Sequence, residues 1–168
     1  GPADFGTFVA AISLFTALLL AVDLGLSLTV TSRVATRTRD GFDALQQTIT
    51  TALLATTTLG CLFAVLITLL ASSLSRWVYS SADHGLLVLS GALYVPAAAI
   101  AYVAGATLQG LQRYKQIAAI GATFGAVHLG GVLLGAYLFG AVGATWGAAA
   151  TMALRAFLAV YALRDRLG

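Results

Sequence analysis

The sequence predicts an all-α bundle of about five transmembrane helices. Of its 168 residues, 60% are hydrophobic and 9% are charged, whereas soluble domains carry roughly 25% charged residues. The few charges divide the chain into apolar stretches close to the roughly 20 residues that a helix needs to cross the hydrocarbon core. These stretches are apolar on every side, unlike the alternating strands of a membrane barrel. We therefore expect lipid, not water, around most of the chain.

Five predicted spans follow one another along the chain. They cover about 5–30, 44–71, 86–111, 117–138 and 142–163. The first is interrupted only by Asp23, and the second meets no charge before Arg76. Pro96 should kink the third span, because proline removes a backbone donor. The last two come from an uncharged stretch too long for one crossing, so we expect a turn between them at 139–143.

The positive residues between the spans predict the orientation. In chain order, the segments after the five spans contain Arg33, Arg37 and Arg39, then Arg76, then Arg113 and Lys115, then none, then Arg164 and Arg166. Cytoplasmic loops carry the excess of Lys and Arg, so the first, third and last of these segments should be cytoplasmic. The N-terminus is then outside and the C-terminus inside. Because a chain that starts outside needs an entering helix, we expect Gly1 to follow a helix that this sequence lacks.

Polar side chains form stripes along two of the spans. On the first span, five of them fall within an arc of about 80° at about 100° per residue: Ser13, Thr16, Asp23, Ser27 and Thr31. The third span has a comparable stripe: Tyr94, Tyr102, Gln109 and Gln112. A water-accessible cavity and ordinary packing between helices both explain these two stripes.

The fourth and fifth spans favour packing. Their stripes consist mainly of small residues, and the pairs Gly121/Gly125 and Gly143/Gly147 have the spacing of close helix contacts. His128, near the middle of the fourth span, is expected to be neutral and hydrogen-bonded to a neighbouring helix, since this span supplies no other titratable group.

Two opposite charges lie inside the spans. Asp23 precedes Arg33 by ten residues and Arg155 precedes Arg164 by nine, which places them about 15 Å and about 13.5 Å from the same predicted membrane face. A direct ion pair would spare each charge from standing alone in hydrocarbon. The alternative is that Asp23 caps the turn before Gly25 while Arg155 extends to the lipid headgroups.

Catalytic patterns are lacking in the sequence. It has no Cys/His or Ser/His arrangement, no phosphate-binding loop and no metal-ligand spacing. Asp40 and Asp43 favour a solvated loop over a metal site, and a single cysteine, Cys61, excludes an intrachain disulfide. We expect no enzymatic activity, no cofactor, no metal and no nucleic-acid partner.

Four motifs make the sequence similar to a known family. They are GPADFG at 1–6, VDLGL at 22–26, ATLQGLQRY at 106–114 and GAVGA at 140–144. In this order and spacing they resemble the polysaccharide or O-antigen flippase family of the multidrug/oligosaccharidyl-lipid/polysaccharide exporter superfamily. The likeness runs over essentially the whole chain.

The resemblance implies helices two to six of the first lobe of a two-lobed transporter in the bacterial inner membrane. Its partners would be membrane lipid, a lipid-linked sugar and the remaining half of the transporter chain. The implied activity is the flipping of an undecaprenyl-diphosphate-type lipid-linked oligosaccharide by alternating access, with Arg155 meeting the diphosphate. The candidate cavity residues are Asp23, Arg155, Ser27, Thr16, Tyr94, Tyr102, Gln109, Gln112 and His128. The alternatives are a multidrug or cation antiporter coupled through Asp23, and a membrane scaffold that transports nothing.

Overall fold

The computed structural model describes residues 2–23, 25–37, 42–79 and 84–167. Within these ranges the chain is helical and contains no strand. The helices are α1 (Pro2–Asp23), α2 (Leu26–Arg37), α3 (Phe42–Tyr79), α4 (Gly85–Leu89), α5 (Gly91–Gly110), α6 (Tyr114–Tyr161) and α7 (Arg164–Leu167). Four described stretches are long and apolar enough to cross a membrane: Asp4–Asp23, Phe42–Tyr79, Gly85–Gly110 and Tyr114–Tyr161. The predicted all-α bundle of membrane-spanning helices is confirmed. Arg39 and Asp40 lie outside the described residues. The solvated loop predicted for Asp43 is wrong, because Asp43 lies in the first turn of α3.

The predicted first span is not one continuous helix. Helix α1 ends at Asp23 and α2 begins at Leu26. Between them Gly25 has a φ of +80°, in the left-handed region that glycine adopts without steric cost. An unbroken helix over 5–30 is therefore wrong, because its sequence contains a residue that permits the chain to turn.

Helix α3 is longer than the second predicted span. Its 38 residues extend about 57 Å at about 1.5 Å per residue, beyond a hydrocarbon core of about 30 Å. It includes Arg76, which the sequence placed after the span. The helix therefore continues out of the predicted apolar layer.

Helix α5 lies at the centre of the bundle and contacts α1, α2, α3 and α6. Most of its side chains are small and buried, which lets neighbouring backbones approach. A Cβ on Gly60 of α3 would lie 2.9 Å from the Cβ of Pro96, and one on Gly91 would lie 2.5 Å from the ring of Phe15. Helix α5 continues through Pro96, and the interruption in this region is at Ser90, between α4 and α5.

Helix α6 consists of two segments, 114–138 and 141–161, joined by a sharp reversal. Phe139 (φ −136°, ψ 18°) and Gly140 (φ +61°, ψ −143°) leave the helical conformation. These residues fall within the turn that the sequence predicts at 139–143. The chain therefore forms a hairpin of two helical segments here.

Facing glycines hold the two segments of this hairpin together. A Cβ on Gly135 would collide with the carbonyl of Gly143, and a Cβ on Gly147 with the carbonyl of Gly131. At Gly121 and Gly125 an added Cβ would meet nothing within 4 Å. The predicted contact at Gly121/Gly125 is thus wrong within the described chain. The close approach lies nearer the reversal, where the two segments are still converging.

Candidate functional site

A cleft of about 430 Å³ opens between α2, α5 and α6. Its apolar wall consists of small and aliphatic side chains from all three helices. Its polar lining residues are Ser27 and Thr31 from α2, Tyr102 and Gln109 from α5, and Tyr114 and Arg155 from α6. Residues four apart on a helix share a face, which explains why Ser27 and Thr31 point into the same space. Gly105, which also lines the cleft, leaves space beside α5 because no atom fills the position of its missing Cβ.

Arg155 is the charged residue that lines this cleft. Its Cζ lies 5.4 Å from the ring centre of Tyr102 and 4.8 Å from that of Phe124. An arginine at this distance from an aromatic face is attracted by the electrons of the ring. Among the described residues no carboxylate forms an ion pair with Arg155, and the ion pair that they do contain joins Arg113 and Asp165. The guanidinium is therefore held by two rings, and its charge has no counter-ion there.

Asp23 forms a helix cap and does not pair with Arg155. One of its carboxylate oxygens accepts hydrogen bonds from the backbone N–H of Ser27 at 3.2 Å and from the Ser27 hydroxyl at 2.6 Å. A carboxylate here satisfies donors at the start of α2 that have no partner inside that helix. For Asp23 the structure therefore shows the predicted cap and not the ion pair, and Asp23 is not among the residues that line the cleft.

His128 links the two segments of the α6 hairpin. Its Nδ1 lies 2.8 Å from the hydroxyl oxygen of Thr151. Because this hydroxyl donates to the carbonyl of Gly147 at 2.9 Å, Nδ1 is placed to donate to it. The imidazole also stacks on Phe124, with 4.8 Å between ring centres. His128 thus contacts the same ring that supports Arg155, although it does not line the cleft.

The comparisons with known proteins agree with this architecture. Residues 1–167 match the family model described as polysaccharide biosynthesis protein. The chain belongs to this polysaccharide biosynthesis family. The resemblance drawn from the four motifs is thereby confirmed at the level of the family. No curated protein and no solved structure matches the chain.

Besides Asp23 and His128, three further candidate cavity residues lie away from the cleft. Thr16 is on the exposed side of α1, where its hydroxyl donates to the carbonyl of Ile12 at 2.8 Å. Tyr94 is 8% exposed and packs against Phe15, with 5.4 Å between ring centres. Gln112 is exposed in the turn after α5, with a φ of +57°.

The break at Gly25 explains part of this distribution. Since α1 and α2 are separate helices, the polar stripe of the first predicted span is not one face. Thr16 and Asp23 belong to α1, whereas Ser27 and Thr31 belong to α2 and line the cleft. Of the nine candidates, the structure brings four together at the cleft: Ser27, Tyr102, Gln109 and Arg155.

An ion pair that the sequence did not predict lies at one end of the bundle. Arg113 donates from Nη1 to Asp165 Oδ1 at 2.9 Å and to the Ala162 carbonyl at 3.0 Å, and its Nη2 pairs with Asp165 Oδ2. The hydrogen bond that Arg113 donates to the Asp165 carboxylate raises the pKa of Arg113. The pair joins the turn before α6 to the start of α7. No local pattern points to it, because its partners are 52 residues apart in sequence.

Tyr114 lines the cleft, although the sequence did not indicate it as a site residue. It begins α6, directly after the turn, and its ring lines the cleft.

Among the described residues, no group of three or more His, Cys, Asp or Glu could hold a metal ion. Cys61 is exposed and free.

Proposed function

We propose that this multi-pass membrane protein of the polysaccharide biosynthesis family is part of a transporter that flips a lipid-linked oligosaccharide. The substrate would be an undecaprenyl-diphosphate-type carrier bearing sugars, moved to the outer leaflet of the bacterial inner membrane by alternating access. The other half of the cavity would come from the remaining part of the transporter chain. The observation that carries this proposal is Arg155, a cation that lines a polar cleft in an apolar bundle and has no carboxylate partner among the described residues.

Arg155 has the chemistry that a diphosphate requires. A guanidinium offers several N–H donors in a rigid fork and binds phosphate oxygens through two parallel hydrogen bonds. In an apolar bundle an unpaired cation is costly, and a bound anion would compensate its charge. The rings of Tyr102 and Phe124 hold the guanidinium by their faces, which leaves its edge N–H groups free for such an anion.

The other polar residues of the cleft are suited to a sugar. Gln109 and the two tyrosines can both donate and accept hydrogen bonds. The hydroxyl oxygens of Ser27 and Thr31 can still accept, although their hydrogens are donated to Asp23 and to backbone carbonyls. An open cleft would let the sugar–diphosphate head lie among polar groups while the lipid tail stays in the bilayer. We propose that this transport involves no covalent chemistry and no cofactor.

Translocation by the complete transporter that contains this chain tests the role of Arg155. In proteoliposomes loaded with a lipid-linked oligosaccharide, we expect Arg155→Gln to lower the translocation rate at least about tenfold, since hydrogen bonds between charged groups contribute about 1.5–3 kcal/mol. Arg155→Lys should retain part of the rate, because lysine keeps the charge and loses the fork.

The matched control is Arg76→Gln. Arg76 is exposed in the last turn of α3, where its Nε donates to the Ser72 carbonyl at 3.4 Å, and its loss removes the same charge away from the cleft. Its translocation rate should equal that of the wild type. An Arg155→Gln transporter that reaches the membrane and works at the wild-type rate would refute the proposed site.

A further inference from the structure

A second groove, separate from the cleft, lies between α2 and the first four turns of α3. It has a volume of about 360 Å³. At one end are Arg33 and Arg37, which are four residues apart and therefore share one face of α2. Opposite them, Gln47, Thr48 and Thr51 form a polar wall on α3.

Several polar side chains of this groove have no hydrogen-bond partner among the described residues. Arg37 Nη1 donates to the Thr48 hydroxyl at 3.1 Å, which orients one guanidinium across the groove. In the part of the chain that the structure describes, the side chains of Arg33, Gln47 and Thr51 are exposed and have no hydrogen-bond partner. Asp43 lines a neighbouring depression and not the groove. Two cations thus meet three neutral polar groups with no described carboxylate among them.

The groove changes from cationic to apolar along its length. Beyond the arginines its lining is mostly apolar, with Val30 and Leu26 on α2 and Ala52 and Ala55 on α3. The exception is Thr29, whose hydroxyl donates to the Gly25 carbonyl at 3.1 Å. From Arg37 to Leu26 the helix rises about 16 Å, which is close to half of a hydrocarbon core of about 30 Å. A free phosphate ion would use only the cationic end. A lipid would use both ends, with its headgroup at the arginines and its acyl chain along the apolar part.

We infer that this groove binds an anionic phospholipid, with the phosphate at Arg33 and Arg37. The end that carries the arginines is the one predicted to face the cytoplasm, where the leaflet contains anionic lipids that attract nearby Lys and Arg. The groove is distinct from the cleft around Arg155, so this inference does not depend on the substrate that is transported. Bound lipid would fill the space between α2 and α3 and fix α2 in place.

Native mass spectrometry of the full chain in detergent tests the inference. The probes are dioleoyl phosphatidylglycerol and dioleoyl phosphatidylcholine at equal mole fraction. We expect tighter binding of phosphatidylglycerol, and a roughly 30-fold loss of that binding in the double variant Arg33→Gln/Arg37→Gln, since each cation near the surface contributes about 1 kcal/mol. The control Lys115→Gln/Arg164→Gln removes two charges from the same predicted side and should change the affinity by less than about threefold.

Two further measurements, a variant at Thr51 and a competition with inorganic phosphate, test the lipid site independently of the double variant. Thr51→Val removes a hydroxyl from the groove without changing the net charge, and should weaken binding roughly fivefold, the effect of one hydrogen bond. This variant replaces the double variant if that protein does not fold by circular dichroism. A large excess of inorganic phosphate should leave the lipid bound. Displacement by phosphate, equal losses in both double variants, an unaffected Thr51→Val protein, or equal binding of the two lipids would each overturn the inference.

Discussion

Asp23 shows how a charged residue can be retained in an apolar segment for a structural reason. Helix α1 stops at this residue, and the chain turns at Gly25 before α2 begins. The first N–H groups of a helix have no partner within it, and an apolar surrounding supplies no water to satisfy them. The carboxylate of Asp23 accepts from Ser27 twice. Its position between two helices therefore follows from the turn, and transport chemistry is not needed to explain it.

Substitutions at Asp23 distinguish the cap from an ion-coupled acid. Asp23→Asn keeps an oxygen acceptor, so the unfolding free energy and the rate of oligosaccharide translocation should stay close to wild type. Asp23→Ala removes the acceptor and should lower the free energy of unfolding by about 1 kcal/mol, measured by denaturant titration in mild detergent. An antiporter coupled through this acid would behave differently. There, Asp23→Asn would abolish proton- or sodium-dependent uptake while leaving stability unchanged.

The α6 hairpin shows what the sequence predicts at the level of an element and what it does not. The length of the uncharged stretch requires a turn, and 139–143 offers glycines to form it. Which glycines then face each other depends on where the two segments converge, and that is a tertiary property. Spacing correctly indicated Gly143 and Gly147 in the second segment, but in the first segment it favoured Gly121 and Gly125, whereas Gly131 and Gly135 make the contact.

Alanine substitutions in the hairpin test this contact. In Gly143→Ala the new Cβ would meet the backbone carbonyl of Gly135, which cannot rotate away as a side chain would. We expect a loss of about 1–3 kcal/mol in the free energy of unfolding, the usual cost of overpacking. Gly121→Ala is the control, because its Cβ enters open space and alanine favours the helix by up to about 1 kcal/mol. Equal destabilisation by the two variants would contradict the close contact.

The candidate site, like the hairpin, depends on tertiary contacts that local sequence patterns do not predict. Polar stripes on a helical wheel indicated Ser27, Tyr102 and Gln109, and the charge inside the fifth span indicated Arg155; the structure brings these four together. They also included Tyr94, which is 8% exposed and faces the core while Tyr102, on the same helix, is 43% exposed. A stripe shows which side chains share an arc, but the neighbours of each part of the arc are set by how the helices pack.

At the scale of the whole molecule, the contacts group the helix ends into two sets. At one end, the Tyr79 hydroxyl donates to the Thr7 carbonyl at 3.1 Å, and the indole N–H of Trp146 donates to the Leu86 carbonyl at 3.2 Å. These are the ends that the charge distribution places outside. At the other end, the contact between Arg37 and Thr48 and the pair of Arg113 with Asp165 join ends that it places in the cytoplasm. The basic segments thus fall on one side of the bundle, as alternating crossings require.

Cysteine labelling measures which side this is. In a Cys61→Ser background, Ser73→Cys near the end of α3 should react with a membrane-impermeant maleimide in intact cells, because Ser73 is exposed and predicted to be outside. Thr36→Cys, exposed in the last turn of α2, should react only after the membrane is permeabilised. We expect this because Arg33 and Arg37 lie in the same part of α2 as Thr36, and positive residues are retained in the cytoplasm. Thr36 lies at the end of α2, just before α3 begins, and Ser73 lies near the end of α3. Labelling of both positions in intact cells would therefore place the two ends of α3 on the same side, which a membrane-spanning α3 does not allow. The reverse pattern would keep the spans but invert the orientation, and would put the phospholipid groove in the outer leaflet.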